Sequence, residues 1–164
     1  REGLHTLSVA VAEHQPVAQW CGALPTNPTG CFFVDDAGLV YEPILFTTGS
    51  NLPIFYGSTT PGVLVPQYLA VGQLHSLMAL VAALREKLSS APVGSVWVDS
   101  ARDVHMLFSN GFTLLFPLGD PGEAVLERLQ LALSVEPFTS HAVSDFAYLD
   151  LRFGDQVYYK LKNQ

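Results

Sequence analysis

The chain has 164 residues, 49% of them apolar, which is enough for one domain of ordinary size with a buried core. Fifteen acidic residues against eight basic ones give a net charge of −7, and the basic residues are scattered, so a nucleic-acid binder is excluded. The longest unbroken apolar run, residues 77–84, is well short of the ~20 residues that span a bilayer, and it predicts a buried helix.

The first part of the chain predicts short strands and turns. Residues 4–12 alternate with a period of two, which indicates a strand. Pro16 should bend the chain before a second strand over residues 17–21. Two further strands flank the turn sequence Asp-Asp-Ala-Gly at 35–38. This turn lacks the carboxylate ladder of a calcium loop, so no metal is expected there.

Cys21 and Cys31 are the only cysteines in the sequence. If the first ends one strand and the second begins the next, their thiols face each other across a hairpin. A disulfide there would contribute roughly 2 to 3 kcal/mol by restricting the unfolded chain, and it would imply an oxidising compartment. Two independent thiols are the alternative. A metal site is not expected, because the spacing is not that of zinc ligands.

The middle of the chain predicts a loop followed by a helix. Residues 42–72 are rich in proline and glycine, which indicates mostly loop with a short extended piece over residues 52–56. Apolar residues at spacings of three and four then run from Leu74 to Leu88. This pattern predicts a helix with one face packed on a sheet.

Three strands and a second helix are predicted next. Residues 93–98 alternate, and residues 104–109 and 112–118 form the clearest hairpin of the chain, joined by Asn-Gly. Residues 120–123 predict a helix start, in which Asp120 is the cap, Pro121 takes the first helical position and Glu123 can bond back to the cap from the third. The helix is then expected to run over residues 124–135.

Residues 146–161 predict a closing hairpin with the two-residue turn Gly154-Asp155. Its second arm, residues 156–161, is expected to be a sheet edge unless a loop or the N-terminal strand covers it. The whole pattern is α+β, a mostly antiparallel β-sheet with two helices packed on one face. The expected cross-strand pairs are Phe153 with Gln156, Leu151 with Tyr158, Leu149 with Lys160, Arg152 with Val157 and Asp150 with Tyr159.

No catalytic constellation emerges from the sequence. The five histidines are distributed one per element, without a zinc, nucleophile or phosphate-binding motif. His105 and Asp103 share a strand face because the period is two, and a solvated pair is the expected outcome. Distant residues can still converge in the fold, so an uncharacterised hydrolase is kept as an alternative.

Several motifs occur in a defined order along the chain. Glu-x-x-Pro-Val-Ala-x-Trp ends at Trp20, a Val-Asp-x-x-Gly turn spans residues 34–38, and Asp-Leu-Arg-aromatic closes the series at residues 150–153. Leu-Pro-Ile-Phe-Tyr-Gly at 52–57 and the Asn-Gly hairpin lie between them. Together they resemble the extracytoplasmic part of the FtsQ/DivIB family of bacterial cell-division proteins.

The resemblance implies a domain organisation and a function. Residues 1–14 correspond to the last strand of a POTRA domain and residues 15–164 to the family's β domain, with the single membrane anchor outside this sequence. The family places this part on the extracytoplasmic face of the bacterial inner or plasma membrane. Its members are scaffolds without catalytic activity or cofactor. They bind small coiled-coil membrane proteins of the FtsB and FtsL type, largely through the final strand. A general peptide-capturing module of POTRA type is the other alternative.

The resemblance also implies which residues face a partner. Arg152 and Phe153 match the Arg-aromatic pair of the closing motif, and residues 157–160 match the final strand. Arg102 lies near a basic position that can face an acidic partner. The expected partner-binding residues are therefore Arg102, Arg152, Phe153, Val157, Tyr158, Tyr159 and Lys160.

Overall fold

The computed structural model describes residues 8–22, 30–45, 51–57, 69–89 and 91–163. Within these ranges the chain forms nine strands, two α-helices and one short 3₁₀ helix at Val143–Asp145. The elements are β1 (Pro16–Cys21), β2 (Cys31–Asp35), β3 (Val40–Pro43), β4 (Ile54–Gly57), α1 (Val71–Lys87), β5 (Val93–Val98), β6 (Asp103–Phe108), β7 (Thr113–Pro117), α2 (Gly122–Leu133), β8 (Phe146–Phe153) and β9 (Gln156–Leu161).

The nine strands form one sheet in the order β3-β2-β1-β4-β5-β6-β7-β8-β9. Five neighbouring pairs are antiparallel, and the pairs β1–β4, β4–β5 and β7–β8 are parallel. The predicted α+β class, mostly antiparallel with two helices, is confirmed. Each hairpin expected from a turn signal is present, including β6–β7 across Asn110-Gly111.

The core lies between the sheet and the two helices. Alternate strand residues point into it, as the period of a strand requires: in β6, for example, Val104, Met106 and Phe108 are buried, whereas Asp103, His105 and Leu107 are partly exposed. Helices α1 and α2 contribute Leu74, Leu77, Leu80, Val81, Leu84, Val125, Leu129 and Ala132. We refer below to the covered side of the sheet as the helix face and to the other side as the open face.

The strand expected over residues 4–12 is not found where it can be examined. Residues 8–12 form no strand and are exposed, and residues 4–7 lie outside the described ranges. β1, which follows this segment, is already paired on both sides with β2 and β4, and residues 8–12 join neither β3 nor β9, the two edges of the described sheet. Alternation alone does not make a strand without a ladder to join. The loop expected over residues 42–72 also lies partly outside the described ranges, at 46–50 and 58–68.

The start of α2 differs from the expected cap. The helix begins at Gly122 with Pro121 at the N-cap, which makes no side-chain cap hydrogen bond. The Gly122 N–H donates instead to the Ser76 hydroxyl of α1 at 2.9 Å, and Asp120 pairs with Arg128. A side chain at Gly122 would bring its Cβ to 2.9 Å from the Ser76 carbonyl oxygen, so glycine permits this close contact between the helices.

Cys21 and Cys31 lie directly opposite each other at the end of the β1–β2 pair, where a disulfide joins them. Their Cα atoms are 4.2 Å apart. The bond closes a ten-residue separation at the end of the sheet distant from β9.

Candidate partner-binding edge

β9 is the last strand of the sheet, and no described strand pairs with its outer side. The Lys162 N–H donates inward to the Asp145 carbonyl oxygen at 2.9 Å, and Gln156 pairs with Phe153 across the two-residue turn. Backbone groups of a strand point alternately to its two sides. The even-numbered residues of β9 therefore bond to β8, and the N–H and C=O groups of Val157, Tyr159 and Leu161 point outward.

The turn of this hairpin is as expected, but the register beyond it is not. Gly154 adopts a φ of 63°, the region in which glycine is favoured. Phe153 pairs with Gln156, whereas Asp150 pairs with Tyr158, Leu149 with Tyr159 and Tyr148 with Lys160. The expected pairs Leu151–Tyr158, Leu149–Lys160 and Asp150–Tyr159 are thus wrong.

A β-bulge in β8 causes the difference. Leu151 and Arg152 together stand opposite Val157, so one extra residue lies on the β8 side. Because the side-chain period of a strand is two, this shift exchanges the faces of the paired residues. Tyr158 and Lys160 lie on the open face, with Asp150 and Tyr148 as their neighbours, and Tyr159 lies on the helix face beside Leu149.

On the helix face, the aromatic ring of Tyr159 packs against the segment that follows α2. Its centroid lies 5.2 Å from that of Phe138 and 5.8 Å from that of Phe146. Val157 and Leu161, on the same side of β9, pack against the edge of the core. Tyr159 nevertheless remains 42% exposed.

On the open face, Phe153 and Tyr158 form an aromatic pair. Their ring centroids are 5.0 Å apart in an edge-to-face arrangement. The Tyr158 hydroxyl donates to Gln156 Oε1 at 2.9 Å. Both rings are about half exposed, 54% for Phe153 and 50% for Tyr158, so the pair forms an apolar surface beside the edge.

Arg152 sits in an ion-pair cluster on the open face. Its Nε and Nη2 donate to the two carboxylate oxygens of Asp150 at 2.9 and 2.6 Å, and its Nη1 donates to Asp103 Oδ2 on β6 at 2.7 Å. Its guanidinium carbon also lies 5.6 Å from the Phe153 ring centroid. The cluster therefore links β8 to β6 across β7 and supports the aromatic pair.

The pKa values of this cluster follow from its contacts. Burial alone would raise the pKa of Asp150, but the hydrogen bonds and charge of Arg152 outweigh burial and hold the pKa below its usual value. Hydrogen bonds to Asp150 and Asp103 raise the pKa of Arg152. The charge of Arg152 is thus already balanced within the molecule.

The other two expected cations have no such partner among the described residues. Arg102 and Lys160 form no ion pair there, and both are exposed. Arg102 adopts a φ of 65° in the turn before β6. Since Asp103, the next residue, receives a hydrogen bond from Arg152, both arginines lie at the same end of the sheet.

The histidine considered as a base has a different neighbour from the one expected. His105 Nε2 lies 3.1 Å from Asp99 Oδ2, and the His105 ring packs on Trp97 with centroids 4.4 Å apart. Asp103 is engaged by Arg152 instead. No group of three or more potential metal ligands occurs in the described part of the chain. None of the described helices is long and apolar enough to cross a membrane.

A family model for the cell division protein FtsQ/DivIB, C-terminal region, matches residues 23–152. The match covers well over half of the sequence. The chain belongs to the FtsQ/DivIB family. Its role is therefore in cell division. No curated protein sequence matches the chain.

The FtsQ/DivIB match covers the strands from β2 to β8 and ends at Arg152. Phe153, the turn and β9 follow it. Sequence reasoning had located the last hairpin and its aromatic residues, but it missed the bulge and the Asp103–Arg152 contact. It also missed the contribution of Phe138, which follows α2 and carries no motif of its own.

Proposed function

We propose that this FtsQ/DivIB domain is a non-enzymatic scaffold of the division machinery that binds small coiled-coil membrane proteins of the FtsB and FtsL type. The partner adds an extended segment to the outer side of β9. The observation that supports this proposal is the outward-facing backbone of Val157, Tyr159 and Leu161 on an edge strand. Such an edge is a template for another strand.

The side chains around the edge favour a specific partner. The exposed rings of Phe153, Tyr158 and Tyr159 flank it on both faces, and aromatic residues often dominate binding energy at interfaces. Arg102 and Lys160 supply positive charge for an acidic segment. Arg152 acts through Phe153 and Asp150, because its own charge is balanced.

The proposal includes the setting of the domain. Residues 1–14 complete a POTRA domain, residues 15–164 form the β domain, and a single membrane anchor outside this sequence holds both on the extracytoplasmic face. The disulfide between Cys21 and Cys31 is compatible with an oxidising compartment. No small-molecule substrate, nucleic acid or cofactor takes part.

Co-purification with the FtsB-type and FtsL-type proteins of the same organism tests this function. Tyr159→Pro removes an outward N–H together with the ring, whereas the matched control Tyr159→Ala removes the ring alone. We expect the parent to retain the partners, the alanine variant to retain them more weakly and the proline variant to lose them. Equal retention by the proline and alanine variants, both folded, would rule out strand addition at this position.

A further inference from the structure

A groove runs beside β9 on the helix face, between the C-terminal part of α2 and the β8–β9 turn. Its volume is about 390 Å³. Leu131 and Val135 form one wall, and Val157 with Gly154 and Asp155 forms the other. α2 packs over β8, so the groove marks the place where the helix layer extends past the covered part of the sheet.

The walls of this groove are apolar and exposed. Leu131 is 68% exposed and Val135 51%, although both carry aliphatic side chains. Arg128 lies at the groove, but its guanidinium pairs with Asp120 and donates to the Leu151 carbonyl oxygen at 3.0 Å. The charge of Arg128 is therefore balanced by Asp120, although its Nε is buried without a hydrogen-bond partner among the described residues. The exposed aliphatic walls favour an apolar group over an anion.

The geometry of β9 indicates how such a group would arrive. Val157 directs its backbone groups outward and its side chain to the helix face. A residue directly opposite Val157 on an added strand would point to the same face, because paired residues share a face of the sheet. That residue would then lie against Val157 and below Leu131 and Val135. Tyr159 is the next residue of β9 on the helix face. There the Phe138 ring already packs against the strand, so the groove lies beside Val157 and not beside Tyr159.

We propose that the groove receives one large apolar side chain of the segment that adds to β9, at the position opposite Val157, and that this contact selects the partner. This inference rests on the proposed strand addition and specifies its chemistry. The segment carries a bulky aliphatic or aromatic residue at this position. Its neighbours in sequence face the open side, near Phe153 and Tyr158. The helix layer thereby covers the added strand as it covers β8.

The test compares two lysine substitutions on α2. Leu131→Lys places a charge in the groove wall, and Gln130→Lys places the same charge on the adjacent, exposed position outside it. The probe is the purified extracytoplasmic segment of the FtsB-type protein, titrated by calorimetry. We expect Leu131→Lys to weaken binding by about tenfold or more, as loss of an apolar anchor does, and Gln130→Lys to stay within about twofold of the parent. Thermal melts check that both variants remain folded.

A double-mutant cycle identifies the occupant. Leu131→Ala is combined with alanine substitutions along the probe, and one apolar position should show non-additive coupling with Leu131. If the parent binds, Tyr159→Pro does not, and the two lysine variants behave alike, the groove assignment is wrong while strand addition stands. If the parent does not bind the probe, or the proline variant binds as its alanine control does, the proposed function and this inference both fail.

Discussion

Arg152 illustrates how a single residue serves the edge without facing a partner. The closing motif predicts that Arg152 faces a partner. In the structure, however, all three guanidinium nitrogens donate to Asp150 and Asp103. Asp150 is only 5% exposed. Removing the guanidinium would leave that carboxylate buried without its main partner, which is costly.

We predict that Arg152→Gln lowers the free energy of unfolding by about 1 to 3 kcal/mol, because it removes charge-assisted hydrogen bonds to a buried carboxylate. Lys160→Gln is the control, since Lys160 is exposed and forms no ion pair among the described residues. Its effect should stay within about 0.5 kcal/mol. Urea denaturation at neutral pH gives both values, and equal effects would mean that the cluster is not structural.

The same cluster predicts an acid dependence. Because the pKa of Asp150 is lowered in the folded state, its contribution is present above the unfolded pKa of about 3.9 and is lost as the pH falls through the lower folded value. Stability should therefore fall below about pH 4. In Arg152→Gln this fall should be shallower, since the cause of the lowered pKa is gone. Denaturation curves at pH 7, 4 and 3 measure the free energy of unfolding of both proteins. If both lose the same free energy between pH 7 and pH 3, Arg152 is not the cause of the lowered pKa of Asp150.

Among the elements, the final hairpin shows that local sequence predicts strands and turns but not a β-bulge. Gly154-Asp155 and the aromatic arms were sufficient to place two strands and their turn. The bulge between Asp150 and Phe153 carries no local sequence signal. Arg152 lies within it and bonds both Asp150 and Asp103, and its contact with Asp103 joins strands that are not neighbours in the sheet. Asp120 does not cap α2, because its carboxylate pairs with Arg128 of the same helix and the Gly122 N–H donates to Ser76 of α1.

The two tyrosines of β9 should respond differently to proline. Tyr158 directs its N–H inward to β8, so Tyr158→Pro removes a ladder hydrogen bond, whereas Tyr159→Pro removes none. Relative to alanine at the same position, we expect proline to cost about 1 to 3 kcal/mol more at 158 than at 159. Chemical denaturation of the four variants measures this difference. A larger proline cost at 159 would show that the inward and outward assignment is reversed.

At the scale of the whole molecule, the sheet separates the disulfide from the edge strand β9. The disulfide joins β1 and β2, and five strands lie between β1 and the edge at β9. The α+β class with one mostly antiparallel sheet followed from the order of strand and helix patterns, but the order of the nine strands in the sheet did not. The parallel pairings of β4 connect segments far apart in sequence, and no local pattern encodes them.

Reduction of the disulfide should destabilise the fold without altering the edge. We expect the paired substitution Cys21→Ala with Cys31→Ala to lower the free energy of unfolding by roughly 2 to 3 kcal/mol, as loss of a short closed loop does, and to leave partner affinity unchanged. Thiol titration of the unfolded, unreduced parent should find no free thiol. Two free thiols, or a matching loss of affinity, would contradict this separation.

The most direct test of strand addition at β9 is amide hydrogen exchange, followed residue by residue with and without the FtsB-type partner. In the free domain the outward amides of Val157, Tyr159 and Leu161 should exchange fast, while the inward amides of Tyr158 and Lys160 are protected by β8. At saturating partner the three outward amides should become protected and the two inward ones should change little. Outward amides that still exchange fast in the saturated complex would show that the partner binds elsewhere.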